Sequence, residues 1–496
     1  MLCTGNRIIL VQFSTVSARK KMTYTLHYST NRSNIKARLL SMLNTIRRYI
    51  STGKNSSTLL RAQIDINDIL SRPKEYESSI HRRQLPQELI ENINFITSNR
   101  PLQAQLFSQI NDMKKERTIL AERLKSNVGD LQQFKERLKQ LKSELKPLEK
   151  QVKTIQEKIY AKAESLPNLI DVTVPTDPLK EEVVQFINCQ SEEDAKVSNS
   201  SAVHDHKEIG VNFNILDFSV ASRVSGPSWY YLTGDGALLE QALIQYALSK
   251  ARRRGYLMLT PPSVVKSEIV GACGFKPNDQ NNEKQIYELK GEHKSLTGTA
   301  EIPLAAFHSS TVFPSGTQFP IKYVGVSRAY RAEAGASGKD TKGLYRVHEF
   351  TKVELFHFTT KEKAAQELED LKDMQVEIVT ELGLSAKLLN MPSSDLGAPA
   401  MKKYDIEAWM PGRGSWGELT SCSNCGDYQS RRLGIRYNDD QEGRLKHVST
   451  LNGTCMAVPR VIVALIEQNF NAEKNEISIP EVLQPFMDGK DKIVPN

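Results

Sequence analysis

Residues Tyr330 to Phe356 read YRAEAGASGKDTKGLYRVHEFTKVELF and carry the side chains best suited to chemistry. Arg331 and Glu333 form an R-x-E segment, and a stretch rich in Gly, Ser and Lys follows. The chain then returns through an apolar, β-prone run in which Phe350 and Glu354 fall on one face. This spacing predicts a strand, a loop and a second strand with fixed charges on one side. A nucleotide suits such a surface, because phosphates need cations and a base needs a ring to lie against. The same spacing also fits a plain hairpin with its charges on the solvated face. No G-x-x-x-x-G-K-[ST] pattern occurs, so any ATP is held by something other than a P-loop.

Those strands need a scaffold, and the 496 residues allow two or three domains with a large core. From Leu131 the positions Leu131, Phe134, Leu138, Leu141, Leu145, Leu148, Val152, Ile155 and Ile159 alternate steps of three and four, an a/d seam. A weaker seam, Leu106, Ile110, Met113, Leu120 and Leu124, precedes it, with SNVGD (Ser126 to Asp130) between as a turn. Two seams and a short turn predict an antiparallel helical hairpin spanning roughly 40 Å, with Pro147 expected to bend or split the second helix. An oligomerising coiled coil without a ligand is the plain alternative. SLPNLIDVTVP (Ser165 to Pro175) ends the helix, and residues 166–225 read as a polar connector. His204 and His206 lie in it, weak grounds for a metal site. Residues 226–496 alternate helices and short β-rich runs as a compact domain.

The net charge of +8 is uneven. Residues 1–64 hold eleven Lys or Arg and no Asp or Glu, so the remainder is slightly negative. An acid-free, Arg-, Ser- and Thr-bearing N-terminus predicts a mitochondrial transit peptide over 1–60, with a disordered RNA-touching arm as the alternative. No apolar run approaches the ~20 residues that span a bilayer, so no membrane partner is expected. Six cysteines at irregular spacing give no disulfide framework, and Cys422-x-x-Cys425 lacks a second pair for zinc; structural thiols are expected, and no zinc.

The Tyr330–Phe356 segment resembles motif 2 of the class II aminoacyl-tRNA synthetases, specifically the seryl-tRNA synthetases. TGTAEIPL (Thr297 to Leu304), GELTSCSNCGDYQSRRLGIRY (Gly417 to Tyr437) and TLNGTCMAVPRVIVALIE (Thr450 to Glu467) support the same resemblance, which runs from about residue 85 onward. GYLMLTPPSVV (Gly255 to Val265) resembles motif 1, which places Pro262 at a homodimer interface. The resemblance implies an α+β fold. Its catalytic domain over 226–496 has a mainly antiparallel sheet, and a coiled-coil, tRNA-binding arm spans 65–165. Neither class I signature (HIGH or KMSKS) is present.

The implied reaction is ATP-dependent formation of seryl-adenylate, followed by transfer to the 3′ end of tRNA-Ser, in the mitochondrial matrix. The resemblance assigns serine binding to Thr299, Glu301, Arg331, Glu354, Asn452 and Thr454. It assigns ATP binding to Arg331, Ala332, Glu333, Val347, Phe350, Glu418, Leu419, Thr420, Ser421 and Arg460. Mg²⁺ falls to Glu418 and Ser421, whose hard oxygens suit that ion. Adenine is expected between Phe350 and Arg460, and Cys455 is expected to add bulk near the serine pocket. Lys135, Arg137, Lys139, Lys142 and Lys146 on the arm are candidates for RNA phosphates, or else solvated heptad flanks. No DNA partner is expected. A catalytically silent paralogue that binds RNA or a partner protein is the alternative function.

Overall fold

The helical hairpin forms as the seams require. In the computed structural model, which describes residues 62–127, 129–199, 205–276, 285–333 and 343–495, helices α1 (Ile66–Ser71) and α2 (Pro73–Arg82) lead into α3 (Glu88–Lys125) and α4 (Leu131–Glu164). The proposed leader, residues 1–60, and His204 lie outside the described residues. Between α3 and α4 the chain reverses through Asn127 (φ +52°) and Gly129 (φ +99°). A Cβ on Gly129 would stand 2.8 Å from the Phe134 ring, so a side chain there meets both strain and a clash. Asp130 then caps α4 by accepting from the N–H groups of Gln132 and Gln133.

Burial along α4 follows the predicted seam, with Leu141, Leu145, Val152 and Ile159 buried. Leu106 and Ile110 of α3 pack against Leu145 and Val152. Pro147 does not split α4, which runs unbroken through it. Pro147 is itself exposed, while Leu145 and Leu148 on either side pack against α3. That packing offsets the ~3 kcal/mol a helix-interior proline costs.

The hairpin is rooted in the body of the protein by a buried arginine. Arg83 is 3% exposed and donates to the carbonyls of Asn168 (3.0 Å), Leu396 (3.1 Å), Gly397 (3.1 Å) and Ala400 (2.7 Å). On the other side Arg432 donates to the Glu164 carbonyl at the end of α4, at 2.8 Å.

The body is built on an eight-stranded sheet. Its strands are β1 (Glu182–Ile187), β2 (Leu257–Leu259), β3 (Ile321–Tyr330), β4 (Glu349–Thr359), β5 (Ala386–Asn390), β6 (Lys402–Met410), β7 (Ser415–Asn424) and β8 (Ser449–Ala457). The order is β1-β5-β6-β7-β8-β4-β3-β2, antiparallel throughout except for β2 with β3. Helices α5 (Gly234–Arg253), α6 (Glu301–Ala306), α7 (Ala364–Glu381), α8 (Tyr428–Leu433) and α9 (Val458–Asn469) complete the framework. Residues of α5, α7 and α9 share one apolar core with β4, β6 and β8.

The stretch 166–225 is not a free connector. It supplies β1 to the sheet edge, and Ile187, Ile209, Phe213, Ile215 and Leu216 enter the central core. Its polar composition reflects an edge strand whose residues 182–185 face solvent, not an unfolded linker.

Candidate active site

Strand alternation and two bulges together assemble the cleft. On β4, Phe350, Lys352 and Glu354 share a face by period two, while Val353 and Leu355 enter the core. On β7 the pairing with β6 shifts between Ile406–Thr420 and Glu407–Glu418, leaving Leu419 as an extra residue. Glu418 and Ser421, three apart, would face opposite ways on a regular strand; the bulge turns both to the cleft. The pairing of β8 with β4 shifts likewise at Cys455, and Thr454 and Ala457 both reach the cleft.

The cleft is lined by Arg331, Glu333, Val347, Phe350, Glu418, Leu419, Ser421, Thr454 and Arg460 of the sequence candidates. Ala332 and Thr420 do not line it. Ala332 pairs its backbone with Gln285, and Thr420 turns its hydroxyl to the Thr454 carbonyl. Leu344, Tyr345, Arg346, Lys352 and Pro459 line the cleft without having been identified from the sequence. Lys352 was detectable, since it sits midway between Phe350 and Glu354 on the same strand face.

Charge is concentrated and buried here. The Arg331 guanidinium lies 5.3 Å from the centre of the Phe350 ring. Arg460 approaches Glu418 at 3.1 Å, and its guanidinium lies 4.7 Å from the Tyr345 ring centre. Burial alone would raise the Glu418 carboxyl; Arg460, Lys403 and Arg331 overcome it and hold Glu418 well below the usual carboxylate range. Burial and the neighbouring Arg460 lower the pKa of Arg331. Glu333 takes a left-handed φ of +46° and pairs with Arg346 at 3.3 Å.

Beneath this cleft lies a buried polar floor. Lys352 Nζ contacts Glu354 Oε2 at 2.6 Å and Thr299 Oγ1 at 3.2 Å, and Thr299 Oγ1 donates to Glu354 at 3.3 Å. Glu301 accepts from Gln429 Nε2 at 2.7 Å and from the Asn452 side chain. Burial pushes Glu301 up to about 7, with Glu354 adding to the shift and Lys352 opposing it. Burial raises Glu354 as well, against Lys352. Thr454 sits opposite Glu354 in the ladder, joining floor and cleft.

Cys455 and Arg137 make contacts that the sequence did not indicate. Cys455 is turned into the core, with Sγ 3.8 Å from the Ala247 carbonyl, and burial raises its thiol pKa with Glu354 adding to the shift. Arg137 is paired with Glu116 of α3 at 2.8 Å and lies 3.6 Å from Glu144, whereas Lys135, Lys139, Lys142 and Lys146 are exposed. Cys422 and Cys425 are buried free thiols whose pKa values burial raises, and Cys422 belongs to the central core.

The mainly antiparallel sheet and a cleft lined by Arg331, Phe350, Glu418 and Arg460 match the class II aminoacyl-tRNA synthetases. The tRNA synthetase class II core domain (G, H, P, S and T) matches residues 285–469. The mitochondrial serine–tRNA ligase of Saccharomyces cerevisiae is 45% identical over 90% of this chain and 99% of its own length. That of Schizosaccharomyces pombe is 43% identical over 66% of this chain and 68% of its own. The crystal structure of seryl-tRNA synthetase from Pyrococcus horikoshii complexed with ATP superposes with a TM-score of 0.79 at 30% identity, covering 87% of this chain and all of that one. This chain belongs to the seryl-tRNA synthetases.

Proposed function

We propose that this protein activates L-serine with ATP and transfers the seryl group to tRNA-Ser in mitochondria. The observation that carries this reading is the pairing of a cationic cleft with a buried carboxylate floor. Activation is attack of the serine carboxylate on the ATP α-phosphorus with release of pyrophosphate. It needs charge neutralisation and in-line placement rather than a protein nucleophile.

Arg331 would hold the α-phosphate and the serine carboxylate together through its planar fork. Phe350 would offer the adenine a face, and Arg460 would meet the terminal phosphates. Glu418 remains ionised and shares a face with Ser421, an oxygen pair that fits Mg²⁺. Bound there, the ion would neutralise phosphate charge. Glu301 and Glu354 would receive the α-ammonium and the hydroxyl of serine. An acceptor left unpaired on that floor would reject alanine, while threonine must be excluded by size.

The exposed lysines of α4 suit an RNA partner, because duplex RNA is read through backbone and shape. Leu257, Met258 and Val264 of the motif 1 segment are exposed along with Pro262, a surface suited to a second copy of the chain. Among the described residues no helix is long and apolar enough to cross a membrane. The mitochondrial relatives and the acid-free N-terminal sequence support delivery to the matrix, which a fluorescent fusion of residues 1–64 tests.

The deciding assay combines purified protein, ATP, Mg²⁺, radiolabelled serine and mitochondrial tRNA. Seryl-tRNA forms at turnover and disappears with Arg331→Ala. Adenylate without charged tRNA would reassign the arm or its RNA. Neither product from folded protein would favour the catalytically silent paralogue.

A further inference from the structure

His206 lies outside the recognised motifs, yet it is buried between the cleft wall and α9. Its Nδ1 is 2.7 Å from Glu467 Oε1 and 3.0 Å from Asp205 Oδ1. Its Nε2 accepts the Leu344 N–H at 3.0 Å. An imidazole nitrogen that accepts a backbone N–H carries no proton, so the ring makes this bond in its neutral form, with its proton on Nδ1 toward the carboxylates. Burial opposes a charge on the ring, while Asp205 and Glu467 outweigh it and push the pKa up to about 8, so the bond to Leu344 is favoured as pH rises through that value. The Asp205, His206 and Glu467 group is thus satisfied without an ion. Glu467 Oε1 also takes the His206 N–H at 3.2 Å, and Oε2 takes the Gly412 N–H at 3.0 Å.

The connection continues into the cleft. Leu344 is followed by Tyr345, whose ring lies 4.7 Å from the Arg460 guanidinium and 4.2 Å from that of Arg413. Arg460 Nε also points at the Tyr345 carbonyl, at 3.5 Å. Arg460 and Glu467 are seven residues, about two turns, apart on α9, so one helix face holds both ends of the circuit.

Three glycines make room for it. A Cβ on Gly343 would stand 2.1 Å from His206 Nε2. One on Gly412 would stand 2.6 Å from the Asp205 Cα, and one on Gly417 2.9 Å from the Tyr345 ring. A side chain at any of the three positions would meet the imidazole, the Asp205 backbone or the tyrosine ring.

We propose that His206 is a positioning residue for ATP: by accepting the Leu344 N–H while donating to Glu467, it fixes Tyr345 and through it the guanidinium of Arg460. This rests on the reading of the cleft as the ATP site. The serine floor takes no part in the circuit, so the effect is selective for one substrate.

The test uses the full chain, with calorimetric ATP binding and with KM for ATP and for serine in pyrophosphate exchange. His206→Phe fills the ring volume without an acceptor, whereas His206→Gln can return an oxygen acceptor to Leu344. His206→Phe is expected to raise the ATP KM roughly tenfold, the scale of one lost hydrogen bond, with the serine KM within about twofold. His206→Gln is expected to restore most of the loss. Gly343→Ala should reproduce the ATP-selective defect, and combining it with His206→Phe should add nothing further. Equal rises in both KM values, or a Gln variant no better than Phe, would overturn the proposal. If the parent binds ATP and His206→Phe binds it equally well, only the role of His206 falls. If the parent binds no ATP, the reading of the cleft falls and takes this inference with it.

Discussion

Along the arm, charges sit in water and apolar side chains keep an unbroken three-and-four rhythm. In the cleft, charges are buried and two strands break their own alternation. The arm is stable because its pattern is regular, and substitutions there should grade smoothly with burial. In the cleft, function depends on placing charges where burial opposes them, so single changes should be far more costly. The difference separates a structural economy of area from one of electrostatics.

The sharpest way to break this contrast is at Arg460. Arg460→Ala removes the cation facing Glu418 and should lower serine-dependent pyrophosphate exchange by about 10³-fold or more, on the scale of a lost transition-state charge contact. Binding of tRNA, measured by filter retention, should be unchanged. Exchange within tenfold of the parent would show that Arg460 is structural.

Next in size is Leu145→Ala, at a seam position 3% exposed. Truncating a buried leucine costs about 2–5 kcal/mol, here confined to the arm. Amide exchange should accelerate in α3 and α4, and tRNA charging should fall, while adenylate formation stays at the parental rate. A matching loss of adenylate formation would mean that the two regions are not separable.

Glu301 gives a smaller, pH-dependent effect. Its folded value of about 7 stands above the usual 4.5. Its contribution to stability is therefore full below the unfolded value and is lost as pH rises through about 7. A serine ammonium needs the ionised form, so the serine KM should fall several-fold from pH 6 to pH 8. Glu301→Gln should flatten both the KM profile and this part of the stability profile. A Gln variant with the parental pH profile would assign the titration elsewhere.

The smallest effect belongs to Arg137→Gln. Its partners Glu116 and Glu144 are solvent-exposed, and such pairs contribute little. The melting temperature should stay within about 2 °C of the parent. A larger drop would mean the pair locks the hairpin in register.

What was legible in the sequence follows the same division. The α4 seam was readable residue by residue, because helix packing repeats with the chain itself. Motif resemblance also located Arg331, Phe350, Glu418 and Arg460, all of which meet in the cleft. The residues 182–187 were not readable as a strand of the sheet, since an edge strand with a solvated face carries little apolar signal. Cys455 was placed near the serine pocket by its neighbour Thr454 in the resembling motif, but successive residues of a strand face opposite ways, and its side chain enters the core. His206 gave no signal of its role, because Leu344 and Glu467 lie far away in sequence.

Arg83 has a mechanical consequence. A helix of 38 residues extends about 57 Å, so a tilt of ten degrees at its root sweeps the tip through about 10 Å, a full helix diameter. Four carbonyls gripping one guanidinium, with Arg432 clasping the other leg, turn that root into a stiff bearing. The arm's length and angle are thus set at its base, where Arg83 and Arg432 grip the body.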